Sequence, residues 1–189
     1  MQNLIYRIAD GRLDADIVRI VSSRADVYGV ERAQLARLPV TVIPKSTPSF
    51  SDAVFAAVRE AQPDLVVMGG WLHLVRIPED FRHRVLNIHP SLLPAFGGKG
   101  MFGHHVHEAV LAYGAKCTGC TVHFADDTYD TGPIIVQKVV PVLDDDTPES
   151  LMERVYAAEC EAYPEAIRLI ANGAWRVDGR RVVATSEAL

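Results

Sequence analysis

The chain has 189 residues, of which 49% are hydrophobic and 23% are charged, and its formal net charge is −5. This length fits one globular domain over residues 1–189, with a core that needs neither disulfides nor a structural metal. The negative charge argues against a nucleic-acid partner, because such binding depends on a basic surface. No stretch approaches the roughly 20 apolar residues that span a bilayer, and the N-terminus does not resemble a signal peptide, so we expect a cytoplasmic protein without a membrane partner.

Helical and strand patterns alternate along the first part of the chain. Helices are predicted at residues 2–10, 30–38 and 49–61, and strands at 17–23, 40–43 and 65–68. Such alternation indicates βαβ units, and unbroken apolar runs indicate strands buried on both faces. The predicted fold class is therefore α/β, with an open, mostly parallel, Rossmann-like sheet.

The second part of the chain continues with a different spacing. A short helix at 78–82 precedes a strand at 84–89, and a glycine-rich loop at 95–103 leads into a helix that ends near Tyr113. Strands at 117–124 and 134–140 flank an acidic turn at 126–132, and a long helix runs from 147 or 148 to 172. The final segment, 175–183, predicts a hairpin with a two-residue Asp-Gly turn. In open α/β sheets ligands bind at the carboxyl ends of strands, so we expect the site where strand 84–89 ends.

Two groups of residues could bind a metal. Cys117 and Cys120 form a Cys-x-x-Cys pair, which could be a redox pair or half a zinc site. No second pair at zinc-site spacing follows, and small residues packed inside a strand explain the pair better. His104 and His107 lie three residues apart on a helix without a carboxylate placed to complete a site. We expect no metal, and three cysteines suit a reducing compartment.

Asn87 and His89 are separated by one residue on a predicted strand, so both side chains share one face. An amide and an imidazole on one face can donate hydrogen bonds to a carbonyl oxygen that becomes negative in a tetrahedral intermediate. The alternative is that they only bind loop backbone at the strand end. Asp130 favours the catalytic interpretation, because a carboxylate beside an imidazole stabilises and orients its charged form.

Three motifs carry a family resemblance. Residues 87–94 read Asn-Ile-His-Pro-Ser-Leu-Leu-Pro, residues 95–101 read Ala-Phe-Gly-Gly-Lys-Gly-Met, and residues 130–133 read Asp-Thr-Gly-Pro. The chain resembles the glycinamide ribonucleotide formyltransferase family over essentially its whole length. The first motif is specific for folate-dependent formyl-transfer domains, and the glycine-rich loop favours this family among them.

The resemblance implies transfer of the formyl group of 10-formyltetrahydrofolate, as cosubstrate, to the amine of glycinamide ribonucleotide in purine synthesis. Asn87 would bind the formyl oxygen and protonated His89 would stabilise the oxyanion. Asp130 would hold His89 and relay protons through water. No metal or covalent intermediate is implied, and the protein would act as a monomer or homodimer.

The family's other contacts are carried over by position. Its pterin pocket corresponds to residues 125–130, including Asp126 and Asp127, and to the segment Leu72, His73, Leu74 and Val75. His73 stands where many relatives carry arginine, which bears on its folate contact. The contact to the substrate amine falls on Glu159, for which a partly exposed helix carboxylate is the alternative interpretation.

One part of the family pattern has no counterpart. The family begins with an apolar strand and a Gly-Ser/Thr-Asn loop that binds the ribose phosphate, whereas residues 1–4 align immediately after that loop. Because the missing first strand lies at the centre of the sheet, we expect two strands with unpaired buried backbone groups. Our hypothesis is that the given start is internal or that the sequence derives from an incomplete gene model.

Three other functions fit part of the pattern. Formyltetrahydrofolate deformylase would give the formyl group to water, but usually carries an N-terminal regulatory domain. Methionyl-tRNA formyltransferase should carry an extra nucleic-acid-binding domain. An inactive folate- or nucleotide-binding module stays open because the phosphate loop is missing.

Overall fold

The structure is a computed structural model that describes residues 1–185. Within them, the helices are α1 (Gln2–Ala9), α2 (Tyr28–Leu35), α3 (Phe50–Ala61), α4 (His104–Tyr113) and α5 (Pro148–Ala171). The strands are β1 (Ile20–Ser22), β2 (Val40–Val42), β3 (Val66–Val67), β4 (Val85–His89), β5 (Cys117–Phe124), β6 (Ile134–Pro141), β7 (Trp175–Asp178) and β8 (Arg181–Ala184). Each predicted helix and strand is present, although the short helix at 78–82 is a single 3-10 turn, Glu79–Phe81. The predicted α/β class is confirmed.

The strands form an open, mixed sheet that is interrupted once. β1 and β2 pair in parallel as a two-stranded piece, and the other six strands follow the order β3-β4-β5-β6-β8-β7. β3 runs parallel to β4, and β6 parallel to β8, whereas β5 is antiparallel to both its neighbours. Within residues 1–185, no ladder joins β1 to β3.

The alternation of side chains along β4 defines two layers of core. Val85 is buried in a cluster with α3, whereas Leu86 is buried in a cluster with α4, α5 and β5. Since successive side chains of a strand point to opposite faces, helices cover the sheet on both sides. Ile88 packs on the side of Leu86, so Asn87 and His89 lie on the other face, as the sequence predicted.

One prediction about burial is wrong. The N-terminal strands β1 and β3 were expected to be buried on both faces, yet all their residues are only partly buried. β1 and β3 each have a hydrogen-bonded neighbour on one side only within the described chain, which leaves their other edges less covered. The strand that is buried almost throughout is β5, where every residue after Cys117 is buried.

Helix α5 is fixed at its start and in its middle by side-chain hydrogen bonds. Thr147 and Ser150 form a reciprocal capping box at its N-terminus. Pro164, inside the helix, has no N–H to donate to the carbonyl of Cys160 one turn earlier. The side-chain amide of Asn3 on α1 donates to that carbonyl instead, at 2.9 Å, and so ties α1 to the part of α5 that carries Glu159.

Candidate functional site

Asn87 and His89 lie near the carboxyl end of β4, where the strand meets the loop that follows. His89 is almost fully buried, and its Nε2 donates to the carbonyl oxygen of Phe96 at 2.8 Å. Because a carbonyl only accepts, this contact places a hydrogen on Nε2. The other ring nitrogen, Nδ1, lies 3.5 Å from Oδ2 of Asp130.

Asp130 lies in the loop between β5 and β6 and adopts a left-handed backbone conformation, with φ of 58°. Its side chain is 8% exposed and lies between two imidazoles. Oδ2 faces His89, and Oδ1 lies 3.7 Å from Nε2 of His123. The backbone N–H of Gly98, in the glycine-rich loop, donates to Oδ2 at 2.8 Å. The structure therefore brings all three predicted catalytic residues together.

His123 belongs to this group although the sequence analysis did not single it out. It is opposite Asn87 in the β4–β5 ladder, and its Nε2 lies 3.2 Å from Asn87 Nδ2. Its Nδ1 lies 2.8 Å from the carbonyl oxygen of Phe124. The available signal was the pair Thr121 and His123, two polar residues at strand spacing.

The charges of the site follow from burial and from these contacts. Burial lowers the pKa of His89, although the Asp130 carboxylate and the Phe96 carbonyl act in the opposite direction. Burial alone would raise the pKa of Asp130, but the hydrogen bond from the Gly98 amide and the two imidazoles beside the carboxylate lower it overall. The resting site at neutral pH therefore combines an ionised Asp130 with a mainly neutral His89.

Close packing holds the two loops that carry these groups. A Cβ at Gly132 would lie 1.8 Å from the carbonyl oxygen of Phe124, so only glycine fits in this part of the Asp-Thr-Gly-Pro motif. Thr121 fixes the turn after His89: its hydroxyl donates to Ser91 O at 2.7 Å and accepts from Leu93 N at 3.0 Å. The sequence analysis missed this role of Thr121.

A small cavity opens beside the trio. Its walls join Asn87, Asp130 and His123 to the predicted pterin segment and the acidic loop. Of the predicted pterin residues, it is lined by His73, Leu74, Val75 and Asp126. Leu72 is 53% exposed and does not line it, and Asp127 lines a neighbouring groove.

Two hydrogen bonds connect the pterin segment to the acidic loop. The hydroxyl of Tyr129 accepts from the backbone N–H of Leu74 at 3.1 Å, and Oδ1 of Asp127 accepts from Ile77 N at 2.9 Å. The cavity between them measures about 50 Å³, which is space for one or two water molecules.

An aromatic group surrounds His73. Its imidazole meets Phe50 and Trp71 edge to face, with ring centroids 5.8 and 5.9 Å apart, while Phe50 and Trp71 stack on each other. The Nζ of Lys45 lies 4.4 Å from the centre of the Phe50 ring. This packing makes His73 part of the cavity wall. An arginine at the same position would have no ring with which to make these edge-to-face contacts.

Glu159 lies on α5, apart from the trio. No hydrogen bond or ion pair joins it to Asn87, His89 or Asp130 within the described chain. Burial raises the pKa of Glu159 to about 7, so near neutral pH its carboxyl can either accept or release a proton. A desolvated carboxyl of this kind is suited to binding an ammonium group.

The residues considered for a metal do not converge. Cys120 is buried and Cys117 is exposed, and both are free thiols on β5. His104 is paired with Glu108 at 3.3 Å on the surface, while His107 is buried. Across residues 1–185, no cluster of three or more histidine, cysteine or acidic side chains could hold a metal ion. None of the helices in that range is long and apolar enough to cross a membrane.

Comparison with protein families matches residues 1–167 to the model described as formyl transferase. The chain belongs to the formyl transferase family. One curated relative is the chloroplastic phosphoribosylglycinamide formyltransferase of Arabidopsis thaliana, which is 41% identical to this chain over 180 residues. These residues cover 90% of this chain and 62% of that protein. A cowpea relative of the same name, from Vigna unguiculata, is 39% identical, and 59% of it is covered. The chain thus spans about three fifths of the length of these relatives.

Solved structures of the family agree with the fold. Glycinamide ribonucleotide transformylase 1 from Symbiobacterium toebii superposes with a TM-score of 0.89 and 40% identity, covering 98% of this chain and 88% of that one. A formyltetrahydrofolate deformylase from Pseudomonas syringae pv. tomato gives a TM-score of 0.84 with 25% identity, covering 98% and 61%. Within the family, this member is more similar to the transformylase than to the deformylase.

Proposed function

We propose that the protein transfers the formyl group of 10-formyltetrahydrofolate to the amine of glycinamide ribonucleotide. The observation that carries this proposal is the convergence of Asn87, His89 and Asp130, with the Asp130 carboxylate between two imidazoles. Asn87 and Asp130 line the cavity beside this group. The names of relatives about 40% identical to the chain support the choice of substrate.

In the proposed reaction, the amine nitrogen attacks the formyl carbon, and the electrons of the carbonyl double bond move onto its oxygen. The side-chain N–H of Asn87 donates to that oxygen as it becomes negative. Donors of this kind act in the transition state, and the loss of one typically costs about 2.7–4 kcal/mol of activation free energy.

The proton released by the attacking nitrogen needs an acceptor. His89 begins neutral because burial lowers its pKa, and its Nε2–H is bound to Phe96 O. The lone pair on Nδ1 is therefore free to take the proton. The imidazolium that results is stabilised by Asp130, 3.5 Å away, and adds positive charge beside the oxyanion. His89 then returns the proton to the folate nitrogen as the bond between that nitrogen and the formyl carbon breaks.

This scheme refines the sequence-based expectation in one respect. The resemblance implies that a protonated His89 stabilises the oxyanion, and in this scheme His89 acquires that proton during amine attack. Asp130 keeps its proposed role, because an ionised carboxylate on one side and a carbonyl on the other favour the imidazolium once it forms.

The pterin ring of the donor is proposed to enter the cavity between the His73–Val75 segment and the acidic loop. Asp126 lines the cavity, and Asp127 holds the segment through Ile77. Leu72 is proposed to contact the outer, exposed part of the donor. Glu159, with a pKa near 7, is proposed to bind the amine end of the second substrate.

We propose that residues 1–189 form a single formyltransferase domain that acts in the cytoplasm as a monomer or homodimer on two small molecules. Nucleic acid and membranes are not among its proposed partners. The chemistry described requires no metal.

The test is a turnover assay on the full chain with 10-formyltetrahydrofolate, with and without glycinamide ribonucleotide. Formylated amine and tetrahydrofolate should appear together, and only when the amine is present. Release of formate without the amine would instead indicate a deformylase. Donor binding without any turnover would favour an inactive folate-binding module.

Two substitutions test whether the activity depends on this site. Asn87→Ala should lower kcat about 10²–10³-fold, as the loss of an oxyanion donor does. His89→Ala should reduce turnover at least as much, because it removes the proton acceptor. His105→Ala is the matched control, since this histidine is 62% exposed and lies outside the cavity. Full turnover by His89→Ala would refute the mechanism.

A further inference from the structure

His123 is buried within hydrogen-bond distance of one predicted catalytic residue, yet no step of the proposed reaction uses it. Its side chain is 2% exposed, and three polar groups face its two nitrogens. Nδ1 faces the carbonyl of Phe124, while Nε2 faces the side-chain amide of Asn87 and, farther away, Oδ1 of Asp130.

The contact with Phe124 determines where the ring carries its hydrogen. A backbone carbonyl can only accept, so a distance of 2.8 Å from Nδ1 to this oxygen places a hydrogen on Nδ1. In the neutral imidazole the other nitrogen then has no hydrogen and acts as an acceptor. Nε2 of His123 is therefore an acceptor in the neutral ring.

This tautomer in turn determines the orientation of the Asn87 amide. The group 3.2 Å from Nε2 must be a donor, which is the NH2 end of the amide rather than its oxygen. One N–H is used by His123, and the second remains for a ligand in the cavity that Asn87 lines. With the amide reversed, its oxygen would face the same space and would repel a negatively charged ligand atom.

We propose that His123 is a positioning residue for the formyl-transfer reaction: its neutral Nδ1–H tautomer holds the Asn87 amide with an N–H directed at the formyl oxygen. This inference rests on the proposed function. It also explains why a histidine stands here on β5, since this ring both satisfies the Phe124 carbonyl and presents an acceptor to Asn87.

The orientation of the Asn87 amide depends on whether Nε2 of His123 carries a hydrogen. If the ring were protonated, Nε2 would carry a hydrogen and would donate towards Oδ1 of Asp130, 3.7 Å away. It could then no longer accept from Asn87, and the amide would be free to reverse. The orientation of Asn87 therefore depends on the unprotonated Nε2.

A purely structural role makes a different prediction. On that view His123 only holds the end of β5 through Nδ1 and the Phe124 carbonyl, and its Nε2 is unimportant. Two substitutions separate the two nitrogens. Asparagine places its amide near the position of Nδ1, whereas glutamine reaches the position of Nε2, so each variant keeps one of the two contacts.

The experiment compares His123→Gln with His123→Asn in the full chain. Glutamine can accept from Asn87 through its amide oxygen, and kcat should fall by no more than about five-fold. Asparagine keeps the donor to Phe124 but loses the acceptor, and kcat should fall about 10²-fold with little change in KM, as when an oxyanion donor is misplaced. The reverse order of the two variants would overturn the proposal.

A double-mutant cycle with Asn87 tests whether the effect passes through that residue. In the Asn87→Ala background, His123→Asn should lower kcat by less than about three-fold, because the group that His123 orients is already absent. An equally large loss in both backgrounds would show that His123 acts independently of Asn87. Thermal unfolding of each variant identifies any that fail to fold.

Turnover by the unsubstituted chain separates this inference from the proposed function. If water rather than glycinamide ribonucleotide accepts the formyl group, the same comparison of variants applies to hydrolysis. If there is no turnover, the ¹⁵N chemical shifts of the His123 ring in the ligand-free protein give the answer. A protonated Nδ1 with an unprotonated Nε2 is expected, and a hydrogen on Nε2 would contradict the proposal.

Discussion

The backbone N–H of Gly98 donates to Oδ2 of Asp130 at 2.8 Å, so the glycine-rich loop holds the carboxylate of the site directly. Two residues earlier, the carbonyl of Phe96 accepts from His89. Adjacent peptide groups of one loop thus fix both the carboxylate and the imidazole. A change in the path of this loop should alter the chemistry without removing any side chain that performs it.

Gly97→Ala should reduce catalysis for this reason. A Cβ at this position would lie 2.5 Å from Leu93 Cδ2 and 3.3 Å from Asp130 Cβ, so one of these neighbours must move. Displacement of reacting groups by about 1 Å can cost 10²-fold in rate, and we expect kcat to fall between about 10- and 10²-fold. Steady-state kinetics measure the change.

Gly29→Ala is the matched control for Gly97→Ala. Gly29 lies on α2, and no atom lies within 4 Å of a Cβ placed there. Its kcat should equal that of the unsubstituted protein. An unchanged kcat for Gly97→Ala would mean that the loop does not set the position of Asp130.

The sequence predicted much of the fold because its patterns are local. The apolar runs, the Asp-Gly turn and the proline at the start of α5 each specify one element, and every such element is present. The shared face of Asn87 and His89 follows from strand periodicity alone. Their meeting with Asp130, 41 and 43 residues farther along, was supported by resemblance and could not be derived from spacing.

Other parts of the site depended on contacts that a single sequence does not display. His123 and Thr121 belong to a strand whose apolar neighbours suggested only core packing. Their roles arise because β5 pairs with β4 in antiparallel orientation, which places His123 opposite Asn87. Similarly, the exposed position of Leu72 results from the path of a loop after β3, where no periodic pattern indicates which side chains face inward.

Tyr129→Phe should make the donor site easier to open. The hydroxyl of Tyr129 accepts from the backbone N–H of Leu74 and so joins the two walls of the cavity in which the pterin is proposed to bind. A hydrogen bond of this type contributes about 0.5–1.5 kcal/mol, so its loss should lower KM for the folate between about two- and ten-fold. Titration of the free protein with tetrahydrofolate provides a second measurement.

The control for Tyr129→Phe is Tyr113→Phe, since Tyr113 is 81% exposed on α4 and should leave KM unchanged. A higher KM for Tyr129→Phe would indicate that the hydroxyl binds the donor instead of closing the site.

Glu159 should give the stability of the protein a characteristic dependence on pH. Burial raises the pKa of Glu159 from 4.5 to about 7 in the folded state. Between these values the unfolded chain loses the proton while the folded chain retains it. Stability should therefore be greatest below pH 4.5 for this group, decline as the pH rises towards 7, and then level off. A shift of this size corresponds to about 3–4 kcal/mol.

Denaturant unfolding at several pH values between 4.5 and 8 measures this contribution. Glu159→Gln, which cannot ionise, should lack that part of the decline, so its stability relative to the unsubstituted protein should increase with pH. Glu153→Gln, at an exposed position of the same helix, should run parallel to the unsubstituted protein. Parallel curves for Glu159→Gln as well would show that this carboxyl titrates normally.

The pairing of Asn3 with a carbonyl that Pro164 leaves free leads to a test of how α1 is attached. In Asn3→Ala, the carbonyl of Cys160 loses its donor, and the free energy of unfolding should fall by about 1–2 kcal/mol. Pro164→Ala restores an N–H one turn after Cys160, which can donate to the same carbonyl as in any regular helix. The loss in free energy of unfolding caused by Asn3→Ala should therefore be measurably smaller in the Pro164→Ala background.

Asn3 also accepts from Arg7 at 3.1 Å, but that contact is lost equally in both backgrounds and cancels in the cycle. Equal costs in the two backgrounds would show that Asn3 stabilises α1 through Arg7 alone.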